Sequence, residues 1–377
     1  MFAYNKHMDQ AKAVVEKMLA EADIKINGER PWDIRVHNEN VYKAFVRGGS
    51  LAFGEAYMAG DWDCDQVDEL IAHLFRSHVV DRARVSFKNV AAYLSTFKSR
   101  GAKRRAFDIG KHHYDIGNNL FERMLDKRLT YTCGYWVTAR TLDEAQEAKL
   151  DLVCRKIGLK AGQHVLDIGC GWGSFAKFAA EKYGARVTGV TVSKEQVALG
   201  RELCKGLPVE FLLQDYRDIE GTFDHIISLG MFEHVGTKHY KEYMEVAHDH
   251  LKDGGLFLLH TIGANANDGT PDAWIDKYIF PNGAVPTVAQ IGGAIENLFV
   301  MEDWHNFGAD YDKTLMGWFK NFDAHWPEIA ATYGETFYRM WKYYLLACAG
   351  SFRARNVELW QVVLSKNGVP GGYRSAR

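Results

Sequence analysis

From about residue 140 the chain alternates short apolar runs with helical patterns, and this rhythm constrains the fold more than any other feature. Apolar runs fill 164–168, 186–192, 209–213, 225–229 and 256–261, and helical spacing marks 142–157, 174–183 and 194–204. Strands separated by helices of roughly 10 to 15 residues call for a parallel sheet covered by helices on both faces. Ligands of such sheets bind beyond the carboxyl ends of the strands, at the point where strand order reverses. Functional side chains are therefore expected just after each strand.

The first strand runs into Leu166-Asp167-Ile168-Gly169-Cys170-Gly171-Trp172-Gly173. Gly169, Gly171 and Gly173 give a tight turn that lets a ligand approach the backbone. A dinucleotide turn needs GxGxxG, whereas this one is GxGxG. A pyrophosphate would also meet the Asp167 carboxylate unfavourably, and a cationic sulfonium or ammonium group would not. The turn resembles the first motif of the Rossmann-like methyltransferases and implies S-adenosylmethionine. Such enzymes commonly place an acid after the second strand to hold the ribose, and this chain has Thr191-Val192-Ser193-Lys194-Glu195-Gln196 instead. The ribose contact then falls to Thr191, Ser193 or Gln196, with helix capping as a compatible role for Ser193. Gln214 and Asp215 follow the third strand, where they can cap the adenine end.

The first hundred residues read differently. Ala11, Val14, Val15, Met18, Leu19 and Ala22 repeat at helical spacing, two shorter helices are expected at 41–46 and 67–75, and Gly48-Gly49 marks a turn. A length of 377 residues suggests two domains at ~150 residues each. We place the boundary near residue 100, giving a helical lipid- or membrane-docking domain, 1–100, and a catalytic domain, 101–377. The formal charge of −2 argues against nucleic-acid binding through bulk charge. No segment has the ~18 to 20 apolar residues that cross a bilayer, and the N-terminus lacks the pattern of a signal peptide. The six cysteines are scattered, which fits reduced thiols in the cytoplasm. Local charge is uneven, however. Residues 82–111 hold nine Lys or Arg against the single acid Asp108, with Phe87, Val90, Ala91, Leu94 and Phe97 on one helical face. Such a stretch can lie on an anionic membrane, or it can be a solvated helix packed on its own domain.

Further segments narrow the field. Gly230-Met231-Phe232-Glu233-His234-Val235-Gly236 follows the fourth strand and Leu259-His260-Thr261-Ile262-Gly263 ends the fifth. With them stand Tyr131-Thr132-Cys133-Gly134-Tyr135-Trp136, Trp304-His305-Asn306-Phe307-Gly308-Ala309-Asp310-Tyr311, Ala347-Cys348-Ala349-Gly350-Ser351-Phe352-Arg353, and Gly54-Glu55-Ala56-Tyr57-Met58 before Asp61-Trp62. Together they resemble the cyclopropane fatty acid synthases across essentially the whole chain. The resemblance implies an α/β fold: a Rossmann-like seven-stranded methyltransferase sheet with a smaller, mostly helical N-terminal domain. It implies S-adenosylmethionine as cofactor, with Tyr131 and Thr132 added to its site, a membrane phospholipid as acceptor, and a peripherally bound cytoplasmic homodimer. It also implies a bound bicarbonate, held by Glu233, His260, Tyr311 and the backbone of Cys133 and Ile262.

The implied chemistry fits those residue types. An alkene attacks a sulfonium methyl only weakly, so positioning and exclusion of water must supply most of the acceleration. Methyl transfer leaves a carbocation, which aromatic faces stabilise by ~0.5 to 2 kcal/mol each. Tyr278, Phe280, Trp304, Phe307 and Trp318 are candidates. Cys348 matches a family cysteine and reads as pocket lining, with a chemical role as the alternative. His112, His113 and His234 form no cluster of metal-ligand spacing, and no metal is expected. Residues 263–300, with Trp274, Ile275, Tyr278, Ile279 and Phe280, are expected to cover the active site as part of an acyl-chain tunnel. Methylation of a small amine is the competing reading within the class, and a non-catalytic lipid or cofactor binder is the competing reading outside it.

Overall fold

The computed structural model describes residues 2–79, 117–266 and 271–377, and the basic stretch 82–111 lies outside the described residues. His112 and His113 also lie outside them. The chain divides into two compact units, the first made of Met1–Arg100, Asp272–Pro281 and Phe322–Asn356, the second of Gly101–Pro271, Asn282–Asn321 and Val357–Arg377. Residues 272–281 and 322–356, assigned to the catalytic domain from sequence, thus group with the first unit.

Packing explains that grouping. The helix Glu335–Arg353 lies so close to the helix Val67–Arg76 that a Cβ on Gly350 would stand 2.3 Å from the Asp68 carbonyl oxygen. Arg353 binds Asp68 at 2.6 Å and Glu69 at 2.8 Å. Trp274, on the short helix Ala273–Tyr278, meets the Tyr343 ring at 4.7 Å. Strands β1 (Arg35–Val36) and β2 (Trp62–Asp63) pair antiparallel beside them, and the wholly buried Trp62 packs on Phe53 and Tyr57. The break expected at Gly48-Gly49 is present: two helical runs within Asn40–Met58 meet at a kink where Gly49 takes φ 54° and ψ −139°, outside the helical region. Glycine accepts that backbone without a steric penalty, so the chain turns there and a second helical run follows.

The second unit carries a seven-stranded sheet. Its strands are β3 (His164–Ile168), β4 (Arg186–Thr191), β5 (Val209–Leu213), β6 (Phe223–Leu229), β7 (Leu251–Gly263), β8 (Val300–Asn306) and β9 (Glu358–Ser365), in the order β5-β4-β3-β6-β7-β9-β8. Strands β3 to β7 are parallel to their neighbours, and β9 runs antiparallel between β7 and β8. Strand side chains alternate between faces. Leu166 and Ile168 join Val190, Ile226 and Tyr243 in one core, whereas Val165 joins Val187, Ile227 and Leu258 in another, with Leu150, Val153 and Phe175 from covering helices. A sheet buried on both faces needs apolar residues on both sides, which is why β3 carries Val165, Leu166 and Ile168 and β6 carries Ile226 and Ile227 in succession. The order reverses between β3 and β6, and the loops leaving these strands meet there.

Candidate active site

The turn after β3 is built by three glycines with different jobs. A Cβ on Gly169 would lie 2.6 Å from that of Met231, in the loop after β6, and one on Gly173 would lie 2.4 Å from the Phe211 ring. These two let loops and strands close up. Gly171 takes φ +55° and faces open space, so its bare backbone forms the cradle. Asp167, at the base of the turn, is buried. Burial pushes its carboxyl up to about 7, and the charge of Lys149 opposes that rise. A buried carboxylate beside an open glycine cradle suits a cationic ligand. The residues present therefore fit a sulfonium donor.

A loop at 130–134 crosses the end of β6. Gly230, with φ +73°, would drive a Cβ to within 2.7 Å of the Thr132 methyl, so glycine permits the crossing. Gln146 donates from Nε2 to the Thr132 carbonyl, and Lys149 from Nζ to Thr132 Oγ1, each at 2.7 Å. Both come from the helix Leu142–Lys156, whose Thr141 and Glu144 form a capping box. At the other end of the loop Thr314 Oγ1 accepts from Gly134 N–H at 3.1 Å and from Trp136 Nε1 at 2.9 Å. Cys133 is fully buried and its thiol is pushed well above the usual thiol value.

After β6, and within β7 three residues before its end, two polar side chains stand with unsatisfied atoms. Glu233 accepts from the Ile262 N–H at 2.7 Å through Oε1, while its buried Oε2 has no partner. Burial raises its carboxyl to about 7. His260 is buried, and burial pushes its pKa well down, so the ring is neutral. Its Nδ1 lies 3.3 Å from Gln361 Nε2, an amide donor, which leaves the proton on Nε2. That Nε2 is buried without a partner. The strands align Leu229 with His260, and Gly230 N–H donates to the His260 carbonyl at 2.8 Å. A donor and a proton-sharing carboxyl thus sit at adjacent strand ends, and they fit a small oxyanion such as bicarbonate. Ile262 contributes through Glu233, since its N–H is committed there.

An aromatic chain runs from Tyr311 through Trp318 and Tyr131 to Phe121 and Trp172, with successive ring centroids 5.9, 5.1, 5.2 and 5.0 Å apart. It links Tyr311 to Trp172 of the glycine turn. Phe307 adds a ring 5.9 Å from His260. Trp304 packs on Trp360 at 5.0 Å and belongs to the core, while Tyr278 and Phe280 belong to the first unit, bonded to Glu55 and packed on Tyr344. Cys348 is half-buried in the first unit, its thiol pushed up to about 12 by apolar surroundings and the charge of Asp272. A thiol so raised is no nucleophile at neutral pH.

The proposed ribose group is partly self-satisfied. Thr191 Oγ1 donates to Gln196 Oε1 at 2.6 Å, and Ser193 caps the helix Lys194–Leu203 by accepting from Gln196 N–H. Asp215 is gripped by Arg217 through two contacts of 2.7 Å, and Gln214 donates to the Asp218 carbonyl. Lys149, Gln146 and Thr314 were missed in the sequence. For Lys149 the signal was present: it lies four residues after buried Ala145 and four before buried Val153, on the face of the helix that packs inward. Among the described residues no cluster of His, Cys, Asp and Glu could hold a metal ion.

The reversed-order sheet, the glycine cradle and the buried acid define an S-adenosylmethionine-dependent methyltransferase. Residues 101–362 match the family described as mycolic acid cyclopropane synthetase, and the chain belongs to that family. It is 51% identical over 368 residues to the cyclopropane-fatty-acyl-phospholipid synthase of Escherichia coli strain K12, across 97% of this chain and 95% of that protein. The cyclopropane synthase MmaA2 from Mycobacterium tuberculosis superposes with TM-score 0.66 at 32% identity, covering 69% of this chain and 98% of that one. The mycolic acid cyclopropane synthase CmaA1, complexed with SAH and CTAB, gives TM-score 0.65 at 32% identity and the same coverage. The chain is thus an enzyme of the cyclopropane synthase type.

Proposed function

We propose that the enzyme adds a methylene unit from S-adenosylmethionine to the cis double bond of a phospholipid acyl chain and closes a cyclopropane ring. The observation that carries this reading is the pair of buried, unpartnered atoms, Glu233 Oε2 and His260 Nε2, at the ends of adjacent strands. Amine methylation forms no carbocation, so it needs no anchored anion to take a proton from the transferred methyl group.

S-adenosylmethionine supplies the electrophilic methyl group, and bicarbonate, held between Glu233, His260 and Tyr311, supplies a base. With donor and lipid bound, the methyl group would pass to the alkene carbon, S-adenosylhomocysteine would leave as the sulfur–carbon bond broke, and the positive charge would come to rest on the acyl chain. Trp318, Tyr131 and Phe307 offer ring faces to that charge. Loss of a methyl proton then lets the ring close. Glu233, neutral below about pH 7, can donate to the anion, and the neutral His260 donates from Nε2. Neither side chain is required to take the proton itself.

The phospholipid acceptor is supported by the 51% identity to a phospholipid-modifying relative. Peripheral membrane binding and a homodimer belong to the same reading. Mass spectrometry of fatty acids from cells expressing the protein should show a gain of one methylene unit with loss of the alkene. His260→Ala and Glu233→Ala should each lower this by at least about 100-fold, and the wild type should slow in bicarbonate-depleted buffer. An unsaturated product or an N-methylated headgroup would refute the proposal.

A further inference from the structure

The helix Leu142–Lys156 carries two polar side chains on its buried face. Gln146 and Lys149 are both fully excluded from solvent. Three residues apart, they leave the same side of the helix and reach the same residue, Thr132. Burying an ammonium is costly unless opposite charge offsets it. The charge of Lys149 acts on Asp126, Cys133 and Asp167, and on His260 of β7. Asp126 is already bound to the Thr130 and Arg128 N–H groups, at 2.7 and 2.9 Å, so it anchors the start of the same loop. Asp167 also acts on Cys170 and Tyr243, neither of which carries a charge at neutral pH. Lys149 is therefore the buried cation shared by the 130–134 loop and the glycine turn.

We propose that Lys149 is a positioning residue for the methyl donor: it locks the 130–134 loop through Thr132, which packs against Gly230 at the end of β6, and sets a cation near the Asp167 turn that faces the sulfonium. This rests on the reading of the Asp167 turn as the donor site. A purely structural lysine would support the fold without touching donor affinity or its pH dependence.

Calorimetric titration of the full-length protein with S-adenosylmethionine, from about pH 6 to about pH 9, separates the two. In the wild type, affinity should rise as Asp167 ionises around pH 7, below the value of about 8 to which burial lowers Lys149 and at which that cation is itself lost. Thr132→Val removes the acceptor but keeps the lysine, and should weaken binding about tenfold, while Thr132→Ser should retain it. Lys149→Met should move the midpoint of the pH dependence upward by about one unit or more, because Asp167 loses its nearby cation. Wild-type affinity and an unmoved midpoint in the Val and Met variants would overturn the proposal. If Lys149→Met does not fold, the Thr132 pair decides alone: equal affinity in Thr132→Val and Thr132→Ser refutes it. A wild type that fails to bind the donor at any pH defeats the underlying donor site instead.

Discussion

Asp167 and Glu233 are acids held in places that penalise their charge. Each has a folded pKa of about 7, above ordinary values of 3.8 and 4.5, because burial disfavours the anion. The folded protein then binds these protons more tightly than the unfolded chain, so ligand-free stability falls as pH rises from about 4 to about 7. Above that window the penalty is constant. Glu233→Gln should remove its share: at pH 8 the ligand-free variant should be more stable than wild type by about 1 kcal/mol or more, and near pH 4 the two should coincide. Thermal melts at both pH values check this, and equal curves at pH 8 would show that Glu233 is not strained. The same variant should lose most activity if, as proposed, the destabilising carboxyl holds the anion. Glu233 and His260 were legible as candidates because they stand toward the carboxyl ends of neighbouring strands, whereas Ile262 came only from the family resemblance. That Ile262 serves through Glu233 was not legible, since a backbone N–H has no sequence signature.

Among the elements, the helix Leu142–Lys156 matters beyond its place under the sheet, since it delivers Gln146 and Lys149 to the site. Its capping box satisfies donors that the helix end would leave open. Thr141→Ala should cost ~1 kcal/mol of stability by urea denaturation, with the melting loss exceeding any loss of donor affinity at saturating donor. The glycine turn makes an opposite prediction. Gly171→Val forces a side chain onto a backbone at φ +55° and into the open cradle, so donor binding by calorimetry should vanish while the fold persists. The helices and parallel strands were legible because their periods differ, 3.6 against 2. Strand β8 reads VMEDWHN without clean alternation, and its place beside β9 comes from pairing with a strand more than fifty residues later. Nothing local encodes such a partner.

For the whole molecule, the open matter is how a chain in which no described helix is long and apolar enough to cross a membrane reaches a lipid. The candidate in the sequence is the basic stretch 82–111, which we propose as the docking segment. Replacing Lys103, Arg104 and Arg105 with glutamate should abolish pelleting with anionic vesicles at low salt and leave donor binding intact, and about 0.5 M salt should mimic the change. Unchanged pelleting would send membrane binding elsewhere in the chain. Sedimentation at micromolar concentration tests the dimer.

The sequence by itself determined the alternation that makes a doubly covered parallel sheet, the GxGxG turn with its acid, and the polar residues at strand ends, because each depends on spacing within a few residues. Tertiary structure decided which distant segments share a unit, that Lys149 and Gln146 meet Thr132, and that Cys348 and Tyr278 belong with the first unit. Those outcomes depend on packing between residues far apart in the chain, where local spacing carries no information and burial sets both position and charge.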